Sequence, residues 1–286
     1  MSRLDIPASA SGPWPAPAKL NLLLHITGQR ADGYPDLQPV FQFLTRGDGL
    51  YFDVQPEGDV QRPMGPPGVP AAADLSVRAA QLLRAAAGSA AGATLYLDKR
   101  LPLGGGLGGG SSNAATTLVV LNRLWGLGLD IDALATLGLR LGADVPVFIH
   151  GQAAWAEGIG ECLTPVTPPE MWYLVLVPPV SISTADIFSA AELTRDTPRT
   201  KIPDLLAGTG HNDCEAVVRR RYPEVAAALD WLNTFSPARM TGTGACVFAA
   251  FESEADAQRV AGQVPASWQS FVARGVNRSP LRAAID

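Results

Sequence analysis

The chain has 286 residues, 47% hydrophobic and 17% charged, with 29 glycines and 24 prolines, a globular composition with room for one large or two ordinary domains. A formal net charge of −5 argues against a nucleic-acid or anionic-membrane partner, and three widely spaced cysteines (Cys162, Cys214, Cys246) argue against a disulfide framework. Residues 1–17 lack the apolar core of a signal peptide and no apolar run nears the roughly 18 residues of a membrane span, so the sequence reads as a soluble, cytoplasmic protein.

In chain order, "KLNLLLHITG", "LQPVFQFL" and "DGLYFDVQPEGDVQ" are short, largely apolar and bounded by Gly, Asp and Pro, which predicts three strands. "GPPGVPAAA" is a loop, after which Asp74 caps a helix that Gly88 stops. "ATLYLDKRLP" is a strand. A helix is expected from about Asn113, with Ala114, Leu118, Leu121 and Trp125 on one face. Asp130 caps the next, whose Ile131, Leu134, Leu137 and Leu141 share a face, and "DVPVFIHGQAAWAEGIGECLTPV" reads as two strands joined by a tight turn. The Pro-rich "TPVTPPEMW" is the linker candidate. Beyond it come a strand ("WYLVLVPPVSI"), a helical region over 212–234, the loop and strand "TGTGACVFAAF", the helix "ESEADAQRVAGQV" and a last strand, "SFVARGVN". Strands and helices mix without regular βα alternation, so the fold class is α+β.

Between the "KRLP" strand end and the helix lies "LGGGLGGGSSN", six glycines within residues 104–110. Each glycine costs folding roughly 0.5–1 kcal/mol against alanine, so the run needs a compensating purpose. A loop without side chains lets a ligand approach the backbone, and the helix start behind it adds unpaired N–H groups and partial positive charge. Together these make an anion site, with phosphate the commonest occupant. Ser111, Ser112 and Asn113 cap the helix or add donors. The Walker pattern fails for want of a lysine after the glycines. The dinucleotide pattern is met at Gly104, Gly106 and Gly109, yet Arg100-Leu101-Pro102 parts loop from strand and Asp130, at the distance of the expected acid, opens a helix.

The pattern carried by Pro102, Gly106, Leu107, Gly108, Ser111, Ser112, Ala114 and Ala115 resembles the phosphate loop of the GHMP kinase superfamily. "PAPAKLNLLLHITGQRADGYPDLQPVFQFL", "LGADVPVFIHGQAAWAEGIGECLTPV" and "MTGTGACVFAAF" are similar, in the same order, to motifs of its branch acting on 4-diphosphocytidyl-2-C-methyl-D-erythritol. The resemblance runs from about Trp14 to the C-terminus. It implies a two-domain fold, an N-terminal domain like ribosomal protein S5 over residues 1–165 and a ferredoxin-like domain over 166–286, with the active site between them. It also implies ATP with Mg²⁺, and phosphorylation of a tertiary 2-hydroxyl in the non-mevalonate route to isoprenoid precursors. Another small-molecule alcohol kinase, or a nucleotide-binding protein without catalysis, stays open here.

Carried over residue by residue, the resemblance gives the nucleotide phosphates to Pro102, Leu103, Gly104, Gly105, Gly106, Leu107, Gly108, Gly109, Gly110, Ser111 and Ser112. It makes Asp144 the base; by pattern alone, an Asp between a helix end and "VPVFI" either caps a turn or works in a cleft, with Pro146 holding Val145 extended. Lys19 is the implied cation that stabilises charge during transfer, and Asn21, on its strand face by alternation, orients the hydroxyl. Tyr34 and Phe188 would stack the cytosine, and Thr184 would lie near the diphosphate or methylerythritol. The departure is Pro35, where the branch usually has histidine; proline removes an imidazole and an N–H. Gly242 and Gly244 either bring amides to the site or make a tight turn. His25, on the Leu23 face, is expected to be packed. Asn212 and Asp213 look like helix caps, Lys99 and Arg100 either touch ATP or are solvated, and no His/Cys/Asp cluster suggests a protein-held metal.

Overall fold

The computed structural model describes residues 6–31, 33–66, 68–201 and 210–286. Its N-terminal half is organised around one long antiparallel hairpin, β1 (Ser11–Gln29) and β2 (Pro35–Gln55). The polar "TRGDG" suggested a break between two strands; β2 instead runs through it, the irregularity absorbed by a register shift opposite Pro17–Lys19. A second shift, between Asn21 and Leu23, is a bulge, and a bulge reverses which side chains face which way. Lys19, Asn21 and then Leu24 therefore border one cavity, while Leu23 packs with Val40, Trp155 and Val166. The unbroken alternation expected over residues 19–25 fails at Leu22.

β3 (Val60–Gln61), α1 (Leu75–Ala87), β4 (Gly92–Asp98), α2 (Gly109–Leu124) and α3 (Ile131–Leu139) follow. The Asp74 and Asp130 carboxylates accept from Ser76 N and Ala133 N, as N-caps do. α2 starts four residues before Asn113, so the last glycines form its first turn. The segment read as two strands yields a helix, α4 (Val145–His150), then β5 (Ala154–Glu157) and β6 (Cys162–Pro165). Pro146 explains the difference: in a helix's first turn no backbone donor is missed, so Val145 is helical.

The C-terminal half contains β7 (Trp172–Val177), α5 (Thr184–Phe188), α6 (Glu215–Arg221), α7 (Pro223–Asn233), β8 (Ala238–Met240), β9 (Val247–Phe251), α8 (Glu254–Ala261), β10 (Gln269–Val276) and α9 (Pro280–Ile285). The helix expected over 212–234 is two helices, because Tyr222 is extended ahead of Pro223 (φ −128°, ψ 87°). α9 was missed, although Ser279 caps it and Pro280 opens it.

The strands form one sheet in the order β3-β4-β2-β10-β7-β9-β8, with β1 and β5 also paired to β2 and β6 to β5. β10 joins the halves: it pairs with β7 along Gln269–Arg274 and reaches β2 at Gly275↔Leu44 and Val276↔Phe43. Leu50, Phe52 and Leu95 pack under Leu83, Leu118 and Phe148 of the N-terminal helices, and Leu174, Val247 and Ala249 under Val218, Leu229 and Val260 of the C-terminal ones. Between these cores lies a third cluster, in which Leu20, Leu44, Leu101 and Leu107 meet Tyr173, Val175, Cys246 and Phe248. Fully burying one such leucine stabilises by about 1.5–3 kcal/mol. This cluster fixes the glycine loop against both halves.

Candidate active site

A cavity of about 520 Å³ opens between the halves, within the roughly 300–1,000 Å³ usual for small-molecule sites. Every residue from Pro102 to Ser111 borders it, with Lys19, Asn21, Asp144, Thr184 and Phe188. The first N–H groups of α2 have no intrahelical partner and carry the positive end of the helix dipole at this edge.

Two glycines of the loop are dictated by geometry. A Cβ on Gly106 (φ +73°) would lie 2.1 Å from the Thr241 carbonyl oxygen, and one on Gly108 (φ +70°) 2.8 Å from the Phe148 ring and 3.1 Å from Lys19 Cε. Between them Leu107 is buried, and its carbonyl accepts from Lys19 N at 3.0 Å. The loop is thus an extra partner of β1, held by a side chain in its middle. Ser112 differs from its neighbours: it is fully buried, outside the cavity lining, and its hydroxyl has no protein partner.

Lys19 is only 3% exposed. Its Nζ donates to Asn21 Oδ1 and to the Gly106 carbonyl at 3.2 Å, lies 3.3 Å from Asp144 Oδ2, and sits 5.3 Å over the Phe41 ring. Two of its N–H donors are thus spent on Asn21 and Gly106, with the Asp144 carboxylate in ion-pair range. Asp144 precedes α4 with φ −80° and ψ −12°, and its side chain caps nothing. The structure therefore sets aside the turn-capping reading, and the Asp144 side chain borders the cavity. At an effective dielectric near 20 such a pair attracts by about 4–5 kcal/mol before screening; the 33% exposure of the Asp144 side chain reduces that.

Opposite, residues 241–244 form a second glycine loop before β9, where Gly242 borders the cavity and Gly244 does not. Thr243 Oγ1 lies 2.9 Å from Thr184 Oγ1, and both side chains belong to the lining. Phe188 also borders the cavity and packs in the C-terminal core that includes Leu24 and Leu37. Tyr34 does not join it. It sits at the β1–β2 hairpin tip, 60% exposed, its carbonyl accepting from Arg30 N, outside the cavity lining. The short turn that closes the hairpin keeps it there.

Other expectations resolve differently. Lys99 borders the cavity but is paired with the buried Asp48 carboxylate at 2.7 Å, and Arg100 pairs with Asp98 at the surface. Asp48 also accepts from Arg100 N and Leu101 N, fixing the chain as it enters the loop; nothing in "RGDG" marked that role. Asn212 and Asp213, expected as helix caps, do not cap α6, whose N-cap is Cys214 with no side-chain cap hydrogen bond; they tie other segments together. Asn212 Nδ2 donates to the carbonyls of Met240 and Gly242, and Asp213 Oδ2 accepts from Ile26 N and Thr197 Oγ1. His25 is packed as expected, its ring 4.5 Å from that of His211. Burial and then His211 lower its pKa, against an opposing pull from Asp213. Burial pushes the Cys214 and Cys246 thiols up to about 12, so neither is an activated nucleophile. Among the described residues no three His, Cys, Asp or Glu side chains could hold a metal ion, and no helix is long and apolar enough to cross a membrane.

Thr241, Thr243 and Asp48 are the residues that sequence reasoning missed. Two hydroxyls alternating with glycines in "MTGTGA" were the available signal for the threonines.

Residues 74–152 match the GHMP kinases N terminal domain and residues 198–270 the GHMP kinases C terminal domain. The chain is 59% identical to the 4-diphosphocytidyl-2-C-methyl-D-erythritol kinase of Alkalilimnicola ehrlichii, over 94% of this chain and 92% of that protein. It is 57% identical to the kinase of the same name from Ectopseudomonas mendocina, over 100% and 98%. A crystal structure of 4-(cytidine 5'-diphospho)-2C-methyl-D-erythritol kinase superposes with a TM-score of 0.78 at 31% identity, covering 91% of this chain and 98% of that one. A mevalonate kinase crystal structure, at 14% identity and a TM-score of 0.66 over 94% and 100%, shares the fold.

Proposed function

The chain belongs to the GHMP kinase family, in its branch of 4-diphosphocytidyl-2-C-methyl-D-erythritol kinases, and on that premise we propose how its cavity performs the phosphoryl transfer. The reaction moves the terminal phosphoryl group of ATP to the tertiary 2-hydroxyl of 4-diphosphocytidyl-2-C-methyl-D-erythritol. It yields the 2-phosphate and ADP, a step toward isoprenoid precursors. Phosphoryl transfer asks a protein mainly for positioning and for charge neutralisation. Leu103–Ser111 hold the ATP phosphates through backbone amides and the start of α2, while Ser112, buried behind them, is left out of that set. Asp144 accepts the proton of the attacking hydroxyl, Asn21 orients that hydroxyl, and Lys19 steadies the charge that builds during transfer.

Thr184 binds the part of the acceptor next to its diphosphate, and Phe188 offers a face for the cytosine. Tyr34, at the hairpin tip, supplies the second face. Pro35 donates no hydrogen bond, so the base is held by stacking and by groups elsewhere in the cavity. Mg²⁺ fits as a companion of the phosphates, whose oxygens it neutralises when bound. Ser111 and Asp144, two of the oxygen donors bordering the cavity, would hold it there. We place the division between the two domains at residues 165 and 166, supported by the end of β6 at Pro165. A cytoplasmic location belongs to the same reading, supported by three cysteines that are all free thiols.

The observation that carries this reading is the Lys19–Asp144 pair at 3.3 Å, beside a glycine loop that opens a helix. ATP consumption measured across alcohols with and without the cytidine diphosphate group tests it. Turnover is expected only with the group present. Equal turnover of a small alcohol alone would move the chain to another GHMP activity, and no turnover with any alcohol would remove catalysis.

A further inference from the structure

Thr241 is fully buried, and its hydroxyl joins the two pieces of backbone that the reaction must keep in register. Oγ1 accepts from Asn21 N at 3.0 Å and donates to the Gly106 carbonyl at 3.1 Å. Asn21 neighbours Lys19 on β1, and Gly106 lies in the middle of the phosphate loop. The same Gly106 carbonyl takes the 3.2 Å hydrogen bond from Lys19 Nζ. One hydroxyl therefore ties the strand bearing Lys19 to the loop that would present the phosphates.

The segment carrying this hydroxyl is itself fixed. Asn212 Nδ2 holds the carbonyl on either side, Met240 at 2.9 Å and Gly242 at 2.8 Å. Thr241 N donates to the Cys246 carbonyl at 3.1 Å, and its own carbonyl accepts from Gly244 N at 3.0 Å. A Cβ on Gly106 would meet that carbonyl at 2.1 Å, so the two glycine loops run in contact and only a residue without a side chain fits between them. A hydroxyl can accept and donate at once. No apolar group of the same shape can, and it would leave the buried Asn21 N–H without this partner and the Gly106 carbonyl with only Lys19 Nζ.

We propose that Thr241 is a positioning residue for phosphoryl transfer, setting the distance between the Lys19–Asn21 strand and the phosphate loop through its hydroxyl. The inference rests on the kinase reading. Misplacement of reacting groups by about 1 Å can cost about 10²-fold in rate, and it acts on kcat because both substrates still find their own walls of the cavity.

The test is steady-state kinetics of the full chain with ATP and 4-diphosphocytidyl-2-C-methyl-D-erythritol for Thr241→Ser, Thr241→Ala and Thr241→Val. Serine keeps the hydroxyl and should hold kcat within about threefold. Alanine leaves space for a water to bridge Asn21 N and Gly106 O, and should lose about tenfold. Valine keeps the volume, excludes both hydroxyl and water, and should lose about 30- to 100-fold, with each KM changed less than about threefold. The order Ser, Ala, Val thus follows hydrogen bonding.

An order that follows volume instead, with valine best and alanine worst, overturns the proposal. So does valine at wild-type kcat, or a loss confined to KM. If valine does not fold, serine and alanine decide: alanine about tenfold below serine supports the hydroxyl's role, and serine as slow as alanine overturns it. Should the wild-type chain itself turn over no substrate, the kinase reading has failed first; wild-type turnover that is indifferent at position 241 defeats this inference alone.

Discussion

The two walls of the cavity are built from different materials. One, from Pro102 to Ser111, is mostly backbone: glycines, a helix start and one buried leucine. The other is side chains, with Lys19 and Asn21 from β1, Asp144 from the turn before α4, Thr184 and Phe188 from α5, and Thr243 from the second loop. A backbone wall suits a ligand part common to many substrates, since amides read charge and not shape. A side-chain wall suits the part that differs between them. Each wall should therefore fail in its own way when altered.

The sharpest way to break the side-chain wall is Asp144→Asn, which keeps the shape and removes the base. It should lower kcat by roughly 10²–10⁴-fold while an ATP analogue binds as before; near-normal turnover in a stopped assay would take the base from Asp144. The backbone wall breaks only when atoms are added. Gly108→Val forces a side chain into a left-handed conformation and onto Phe148. It should weaken ATP-analogue binding by at least about tenfold in calorimetry, with circular dichroism showing the fold intact, given about 1–3 kcal/mol of backbone strain. Unchanged affinity would detach the phosphates from this loop. Smaller still, Phe188→Ala should weaken cytidine diphosphate binding by about 5- to 150-fold, the worth of about 1–3 kcal/mol for one stacked base, without touching ATP. Tyr34→Ala should weaken it less, because Tyr34 stands outside the cavity in this structure; a larger loss at Tyr34 than at Phe188 would show the hairpin tip to be the main base platform.

The same contrast explains what the sequence made legible. The backbone wall announces itself as composition: six glycines before an apolar helical pattern are visible to anyone counting. Asp144, Lys19 and Phe188 were found through a resemblance, since an Asp beside "VPVFI" or a Lys at a strand start has ordinary explanations. The helix after Asp144 was misread because Pro146 suits both an extended neighbour and a first helical turn. The face change at Leu22 was hidden because a bulge is a property of two strands, not of one. Thr241 shows the limit most clearly: its hydroxyl partners are residues 21 and 106, and only the fold brings those segments to it.

Leu107 carries one last implication. A tract that composition alone would class as a floppy linker is pinned at its centre by a side chain shut away between the two halves. The cradle is then assembled before any nucleotide arrives, and little chain entropy remains to be surrendered at the encounter. Nucleotide capture should accordingly carry only a modest heat-capacity change, the signature of docking onto a finished surface and not of folding around a guest.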